Sequence, residues 1–197
     1  DYRMIGRSDG GNAGGVLALT ADMLAGGARP IWIGYLHVAD VDAAVTAIKA
    51  EGGAVQMDPM DIPVGRIAMV TDPQGAAFYV MAPKPPEGSE DMESDVFSVT
   101  DAQHMRWNEL ATSDPDAAIV QRGEVMIGAV MPLMEGYPVP VWNFYIGVND
   151  IDRAHAAVTA NGGTVTSEPM EIPGGEYAMN AIDPQGAPVG FVGPRKS

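Results

Sequence analysis

One stretch of this sequence occurs twice, and this repeat constrains the fold more than any other feature. The segment 30–84 returns as 140–195, displaced first by 110 positions and then by 111. Identity at matched positions exceeds what shared composition produces, so the chain contains a duplicated structural unit. The matched residues include Trp32/Trp142, Tyr35/Tyr145, Asp40/Asp150, Asp42/Asp152, Gly52/Gly162, Gly53/Gly163, Pro63/Pro173 and Asp72/Asp183.

The first half of each copy has the pattern of a strand followed by a helix. An apolar and aromatic run at 31–38, matched by 141–148, predicts a buried strand. Asp40 is suited to cap a helix, and Gly52–Gly53 is suited to end it. Between these residues apolar side chains recur at helical spacing: Val41, Ala44, Val45 and Ile48.

The second half of each copy predicts three strands. In the first copy these strands are 54–57, 66–71 and 76–81, with a proline-bounded connection at 58–65. The residues Asp72 to Gly75 have the order of a type I turn, because proline fixes φ at the second position. Each copy is therefore predicted to be a β-α-β-β-β unit.

Shorter segments between the copies resemble parts of the same unit. Residues 7–19 and 121–133 each predict a hairpin, and 106–119 predicts a strand followed by a helix that begins at Asp114. Four units are therefore expected, of which units 1 and 3 are incomplete. We expect residues to be missing before Asp1 and near Ile119/Val120, the alternative being a genuine deletion.

The acidic, proline- and serine-rich stretch 84–98 predicts a linker. It separates an expected domain at 1–83 from a second domain at 99–197. Each domain would contain two units, so neither needs a second copy of the chain to close a cavity. We expect a monomer or a homodimer.

Composition narrows the classes of partner. The net charge of −15 and a pI near 4.3 argue against nucleic acid and anionic membranes, which require clustered Lys and Arg. No apolar run approaches the roughly 18 residues that span a bilayer. The absence of cysteine excludes disulfides and thiolate chemistry.

The motifs W-x-x-Y-x-x-V at 32–38, WNELATSDPDAA at 107–118, DIPVG at 61–65 and DPQGA at 72–76 together resemble the glyoxalase/bleomycin-resistance family, also called the vicinal-oxygen-chelate family. The resemblance covers nearly the whole chain and implies a bacterial protein that binds a small molecule, which we expect to be cytoplasmic. It implies an α+β fold of two glyoxalase-like domains, each from paired β-α-β-β-β units that form an open, curved, eight-stranded sheet around a cavity.

The resemblance also indicates where a metal would bind. Metal-dependent members hold a divalent ion with two His, Gln or Glu and two Glu from the first and last strands of paired units. The matching positions here are Ile33, Asn143, Tyr79, Gly190 and Glu109. The strands 15–20 and 128–133 contain no His, Asp or Glu. Because a set of four ligands is lacking, we predict no metal and no cofactor.

Strand alternation predicts which side chains face the cavity. The expected ligand-binding residues are Tyr35, His37, Tyr79, Trp107, Asn143 and Tyr145. Glu109 would act as a general base or bind a cation, if aromatic surroundings raise its pKa. Alternatively, Glu109 binds a backbone N–H or Arg106, the tryptophans belong to the core, and His37 is an ordinary strand residue.

Three functions follow from these residues. The first is binding of a small organic molecule in an apolar-aromatic cavity without the usual metal, as in bleomycin-resistance proteins. The second is a metal-dependent lyase, isomerase or dioxygenase of the same family that uses Glu109. The third is a structural or assembly role with degenerate pockets. Fold alone does not decide among them.

Overall fold

The computed structural model describes residues 1–85, 87–88, 94–115, 118–133 and 139–196, without the side chains of 118, 119, 121 and 122. Within these ranges the chain forms three helices and thirteen strands. In chain order they are β1 Tyr2–Gly6, β2 Asn12–Leu17, α1 Ala21–Ala25, β3 Tyr35–His37, α2 Val41–Ala50, β4 Ala54–Ile62, β5 Gly65–Thr71, β6 Ala77–Pro83, β7 Met105–Thr112, β8 Ala118–Arg122, β9 Val125–Pro132, β10 Val141–Gly147, α3 Ile151–Ala160, β11 Thr164–Glu171, β12 Tyr177–Ile182 and β13 Pro188–Gly193. None of the helices in this part of the chain is long and apolar enough to cross a membrane.

The chain divides into two compact units. The first comprises Asp1–Trp32, Ser94–Asn108 and Asn143–Ser197, and the second comprises Ile33–Glu93 and Glu109–Trp142. The predicted domains at 1–83 and 99–197 remain a prediction. Part of the predicted linker 84–98, at 86 and 89–93, lies outside the described residues.

Each unit contains open sheets, so the predicted α+β glyoxalase-like class is confirmed. The first unit holds an antiparallel β1–β2 hairpin and strands in the order β11-β12-β13-β10-β7. The second holds a sheet in the order β3-β6-β5-β4 and strands in the order β7-β9-β8. The hairpin and the β3-β6-β5-β4 sheet, with two and four strands, are smaller than the eight-stranded sheet that two complete units would form.

The two repeated copies have the same construction. In each, the first strand pairs in parallel with the last, as β3 with β6 and β10 with β13. A parallel pair requires a crossover connection, which α2 and α3 provide. Asp40 Oδ1 accepts a hydrogen bond of 3.0 Å from the Ala43 N–H, and Asp150 caps α3 in the same way. The predicted caps are therefore confirmed.

Strand β4 is longer than predicted. The sequence indicated a strand at 54–57 and a connection at 58–65, but the strand continues to Ile62. Pro59 is tolerated because β4 is an edge strand and its register shifts between Met57 and Met60. The matching strand β11 runs through Pro169 with a shift between Ser167 and Met170.

Three other local predictions need correction. The helix predicted from Asp114 to Ile119 is absent where the structure describes the chain, because Ala118–Arg122 is strand β8; residues 116 and 117 lie outside the description. The N-terminal hairpin pairs Tyr2–Gly6 with Asn12–Leu17 and so begins before residue 7. The strand predicted at 31–38 is reduced to Tyr35–His37.

Two buried arginines join the three segments of the first unit. The side chain of Arg7 is only 2% exposed and pairs with Asp9 and Asp95. Arg106 donates two hydrogen bonds to the carboxylate of Glu176, at 2.6 and 3.3 Å. The Arg7 guanidinium lowers the pKa of Asp95, which shows that the contact favours the charged carboxylate.

The helix of each copy covers one face of its sheet. In the second unit the buried core consists of Val41 and Val45 from α2 with Ala68, Val70 and Val80 from the sheet. Alternate residues of a strand point to opposite faces. Residues such as Met69 and Tyr79, which lie between the core positions, therefore face away from the helix and form the surface on which a site can be built.

Candidate functional site

The clearest aromatic feature of the second unit is the pair formed by Tyr35 and Tyr79. The two residues are register partners on the parallel strands β3 and β6. Their ring centroids lie 4.6 Å apart and the ring planes differ by 7°, so the rings are stacked. Tyr35 remains 49% exposed. The pair therefore forms an aromatic surface on the sheet face opposite α2.

His37 continues this surface along β3. It lies two residues after Tyr35, is the register partner of Met81, and is exposed. Because the strand alternates, His37 and Tyr35 lie on the same side of the sheet. The structure therefore brings together three residues predicted as ligand-binding: Tyr35, His37 and Tyr79.

The same position in the first unit is built differently. Tyr145 is the register partner of Gly190, as Tyr35 is of Tyr79. A Cβ added at Gly190 would lie 2.6 Å from Cγ of Tyr145, which is too close for any side chain. Glycine therefore allows the Tyr145 ring to lie directly on the β13 backbone. Tyr145 is only 8% exposed.

Asn143 adds a buried amide on the same face of β10. Its side chain is 8% exposed, and Nδ2 donates a 3.0 Å hydrogen bond to Oδ1 of Asn180. Asn143 Oδ1 is buried and has no hydrogen-bond partner within the described part of the chain. Leaving such an acceptor unsatisfied costs about 1–3 kcal/mol, so the site favours a hydrogen-bond donor beside Asn143.

Asn180 is a site residue that the sequence reasoning missed. It lies on β12 opposite Gly190, and its counterpart in the other copy is Met69, which faces Tyr79. The exchange of an apolar residue for an amide on the sheet face opposite the helix was the available signal. A strand-by-strand comparison of the copies would have found it.

The two remaining predicted residues lie on β7. Trp107 and Glu109 are both partly buried, Trp107 in the first unit and Glu109 in the second. The proposed grouping of Glu109 with Asn143 and Tyr145 therefore stays a prediction. Arg106, considered as a partner for Glu109, binds Glu176.

The electrostatics of the aromatic pair reflect its burial. Desolvation raises the pKa of the Tyr79 hydroxyl above its ordinary value of about 10, because the low-polarity surroundings disfavour the phenolate. The site therefore holds Tyr79 as a neutral phenol at physiological pH.

The residues at the expected metal positions include one carboxylate, Glu109, and do not form a ligand set. Ile33 offers no donor atom, Gly190 offers no side chain, and Tyr79 is a neutral phenol stacked on Tyr35. Asn143 offers only an amide. Where the structure describes the chain, no group of three His, Cys, Asp or Glu residues could hold a metal ion. These donors do not fit Zn, Ni or Fe, which prefer imidazole, carboxylate and thiolate.

The family follows from comparison with known proteins. A family model described as "Glyoxalase/Bleomycin resistance protein/Dioxygenase superfamily" matches residues 4–80. The Mycobacterium tuberculosis protein named "Putative glyoxylase CFP32" is 34% identical over 188 residues, covering 82% of this chain and 69% of that protein. The chain belongs to this superfamily.

The name of another relative refers to a biosynthetic process. The "Anthracycline biosynthesis protein DauV" of Streptomyces sp. is 31% identical over 186 residues. The match covers 82% of this chain and 65% of that protein. The superfamily therefore includes homologues of this chain whose names refer to distinct kinds of chemistry.

The fold resembles a solved structure of the superfamily. The Mn(II)-bound glyoxalase from Novosphingobium aromaticivorans matches with a TM-score of 0.51 at 14% sequence identity. The match covers 82% of this chain and 62% of that glyoxalase, so the chain spans less than two thirds of its length. This likeness supports the fold.

The raised pKa of Tyr79 predicts how stability changes in alkali. The folded state binds the phenolic proton more tightly than the unfolded state. The contribution of this proton to the free energy of unfolding is therefore fully present below about pH 10 and is lost as pH rises through the pKa of the folded state. We expect Tyr79→Phe to reduce the loss of unfolding free energy between about pH 8 and pH 10.5. Urea unfolding at both pH values measures this, and equal losses in both proteins would contradict it.

Proposed function

We propose that this protein binds a small planar organic molecule on the aromatic surface formed by Tyr35 and Tyr79, without the metal that its superfamily often uses. The stacked, half-exposed tyrosine pair is the observation that carries the proposal. Half of the Tyr35 surface stays in water, so covering it with an apolar ligand is favourable. Aromatic stacking adds about 1 kcal/mol beyond area burial.

The chemistry of the ligand follows from the neighbouring groups. Tyr79 is a neutral hydroxyl donor and His37 supplies an exposed ring beside the pair. Such a surface suits a conjugated ring system with carbonyl or hydroxyl groups at its edge. The name of the Streptomyces relative refers to anthracyclines, which are polycyclic aromatic compounds of this class.

The first unit would form a second, more enclosed pocket. Its proposed residues are Trp107, Asn143 and Tyr145, to which the structure adds Asn180. The orphaned Oδ1 of Asn143 would accept a hydrogen bond from a ligand hydroxyl or amine. We propose that the protein acts in the bacterial cytoplasm as a monomer or homodimer and needs no cofactor.

The proposal predicts that Tyr35 controls affinity for planar aromatic ligands. We expect a hydroxylated anthraquinone to raise the melting temperature of the protein, and Tyr35→Ala to weaken its binding about tenfold or more. Isothermal titration measures the affinity. Tyr2→Ala is the matched control, because Tyr2 is also an exposed strand tyrosine, at 55%, but belongs to the N-terminal hairpin. Equal affinity in the two variants would overturn the proposal.

A second function is a metal-dependent lyase, isomerase or dioxygenase. The glyoxylase name of the mycobacterial relative favours it, as does the partly buried carboxylate of Glu109. In this case Glu109 would remove a proton from a carbon next to a carbonyl group of the substrate. Because the metal-position residues do not fit a divalent ion, we derive no step through one.

Metal analysis separates the two functions. The binding proposal expects the purified full-length protein to contain far less than one divalent ion per chain, and to gain no activity after incubation with Mn²⁺, Ni²⁺ or Zn²⁺. It also expects Glu109→Gln to keep its affinity for the aromatic ligand at the tyrosine pair. Stoichiometric metal, together with an activity that Glu109→Gln abolishes while stability is unchanged, would establish the enzyme instead.

A further inference from the structure

A cavity lies between helix α3 and its sheet in the first unit, on the face opposite Asn143 and Tyr145. Its volume is about 580 Å³, within the range of small-molecule sites. The walls are mainly apolar. They include Ile146 from β10, Ala157 and Val158 from α3, Ala181 from β12, and Phe191 from β13.

The other copy of the repeat fills the matching region with different side chains. In the second unit the matching region contains a packed core in which Ile48, Val70 and Phe78 take part. The first unit has smaller residues at these positions: Val158, Ala181 and Val189. Two positions are larger, Met179 and Phe191, and Phe191 forms part of the cavity wall.

The margin of the cavity carries more negative than positive charge. Asp150 and Asp183 both line it, and both carboxylates already accept backbone N–H groups. Asn161 likewise donates to the Ala157 carbonyl oxygen at 2.7 Å. Arg153 is exposed and supplies the one cation among the described residues that line the cavity. Two carboxylates and only one guanidinium repel an anionic ligand, whereas a neutral ligand experiences no such repulsion.

Trp32 forms a further wall and adds a polar group. The indole Nε1–H is buried and has no acceptor among the described residues. Buried tryptophan N–H groups usually have a hydrogen-bond partner. A carbonyl oxygen on a bound molecule would provide the missing acceptor.

We propose that this helix–sheet cavity is a further binding site, separate from both the tyrosine pair and the Asn143 position, for a neutral apolar molecule that carries one carbonyl group. Its volume of about 580 Å³ is sufficient for a molecule of one or two fused rings. The site is independent of the proposed function, because it lies on the helix side of the first unit.

The neutral naphthalene ketone Prodan is a suitable probe, since its fluorescence shifts to the blue in apolar surroundings. We expect it to bind the wild-type protein, and Ala157→Phe to weaken binding about tenfold by filling the cavity. Ala47→Phe is the matched control, because Ala47 is the equivalent exposed residue on α2. It should leave Prodan affinity unchanged. Ala157 is itself exposed, so the variant should fold, which a melting curve checks.

Trp32→Phe tests the chemical class of the ligand. It keeps an aromatic wall but removes the N–H, so we expect about fivefold weaker binding of Prodan and unchanged binding of N-phenyl-1-naphthylamine, which lacks a carbonyl group. The proposal is overturned if Ala157→Phe binds Prodan like the wild type, or if Tyr35→Ala abolishes binding. It is also overturned if sedimentation shows that Ala157→Phe dissociates a dimer, because a second copy would then occupy the cavity.

Discussion

The parallel pairing of the first and last strands in each repeat is the constraint on which the rest of the structure depends. Parallel neighbours cannot be joined by a tight turn, so the chain must cross the sheet, and in both copies it does so through a ten-residue helix. The helix covers one face with apolar side chains. The other face is left for the aromatic and amide residues. The register of this pair fixes which side chains meet.

The two copies use this register for different purposes. Tyr35 meets Tyr79 and stays half exposed, while Tyr145 meets Gly190 and is almost fully buried. One backbone arrangement therefore gives an open aromatic surface in the second unit and a closed, amide-lined position in the first. Divergence after duplication changed side chains at these partner positions while the strand pairing was kept.

The sequence predicted the parts of the fold that depend on local chemistry. The caps Asp40 and Asp150 and the Asp72 turn could be read from residue type, because side-chain oxygens satisfy nearby backbone N–H groups there. The continuation of β4 through Pro59 could not be predicted from residue type, because proline is accepted only where the strand lies at an edge. Strand order is a tertiary property.

The candidate site was predictable to a similar degree. Alternation placed Tyr35 and Tyr79 on one face, but their stacking depends on a parallel register that the sequence does not encode locally. Asn180 was missed because its hydrogen bond to Asn143 spans 37 positions of the chain. The helix–sheet cavity was missed for a related reason. It is lined by residues from four separate elements, which no local pattern brings together.

NMR of tyrosine ring resonances during titration with a hydroxylated anthraquinone tests the central claim most directly. The chain has six tyrosines, which selective labelling and single Tyr→Phe variants assign. The account predicts ring-current shifts that saturate at Tyr35 and Tyr79 and leave Tyr2 and Tyr177 unchanged. Shifts confined to other tyrosines, or binding without any change at the pair, would contradict it.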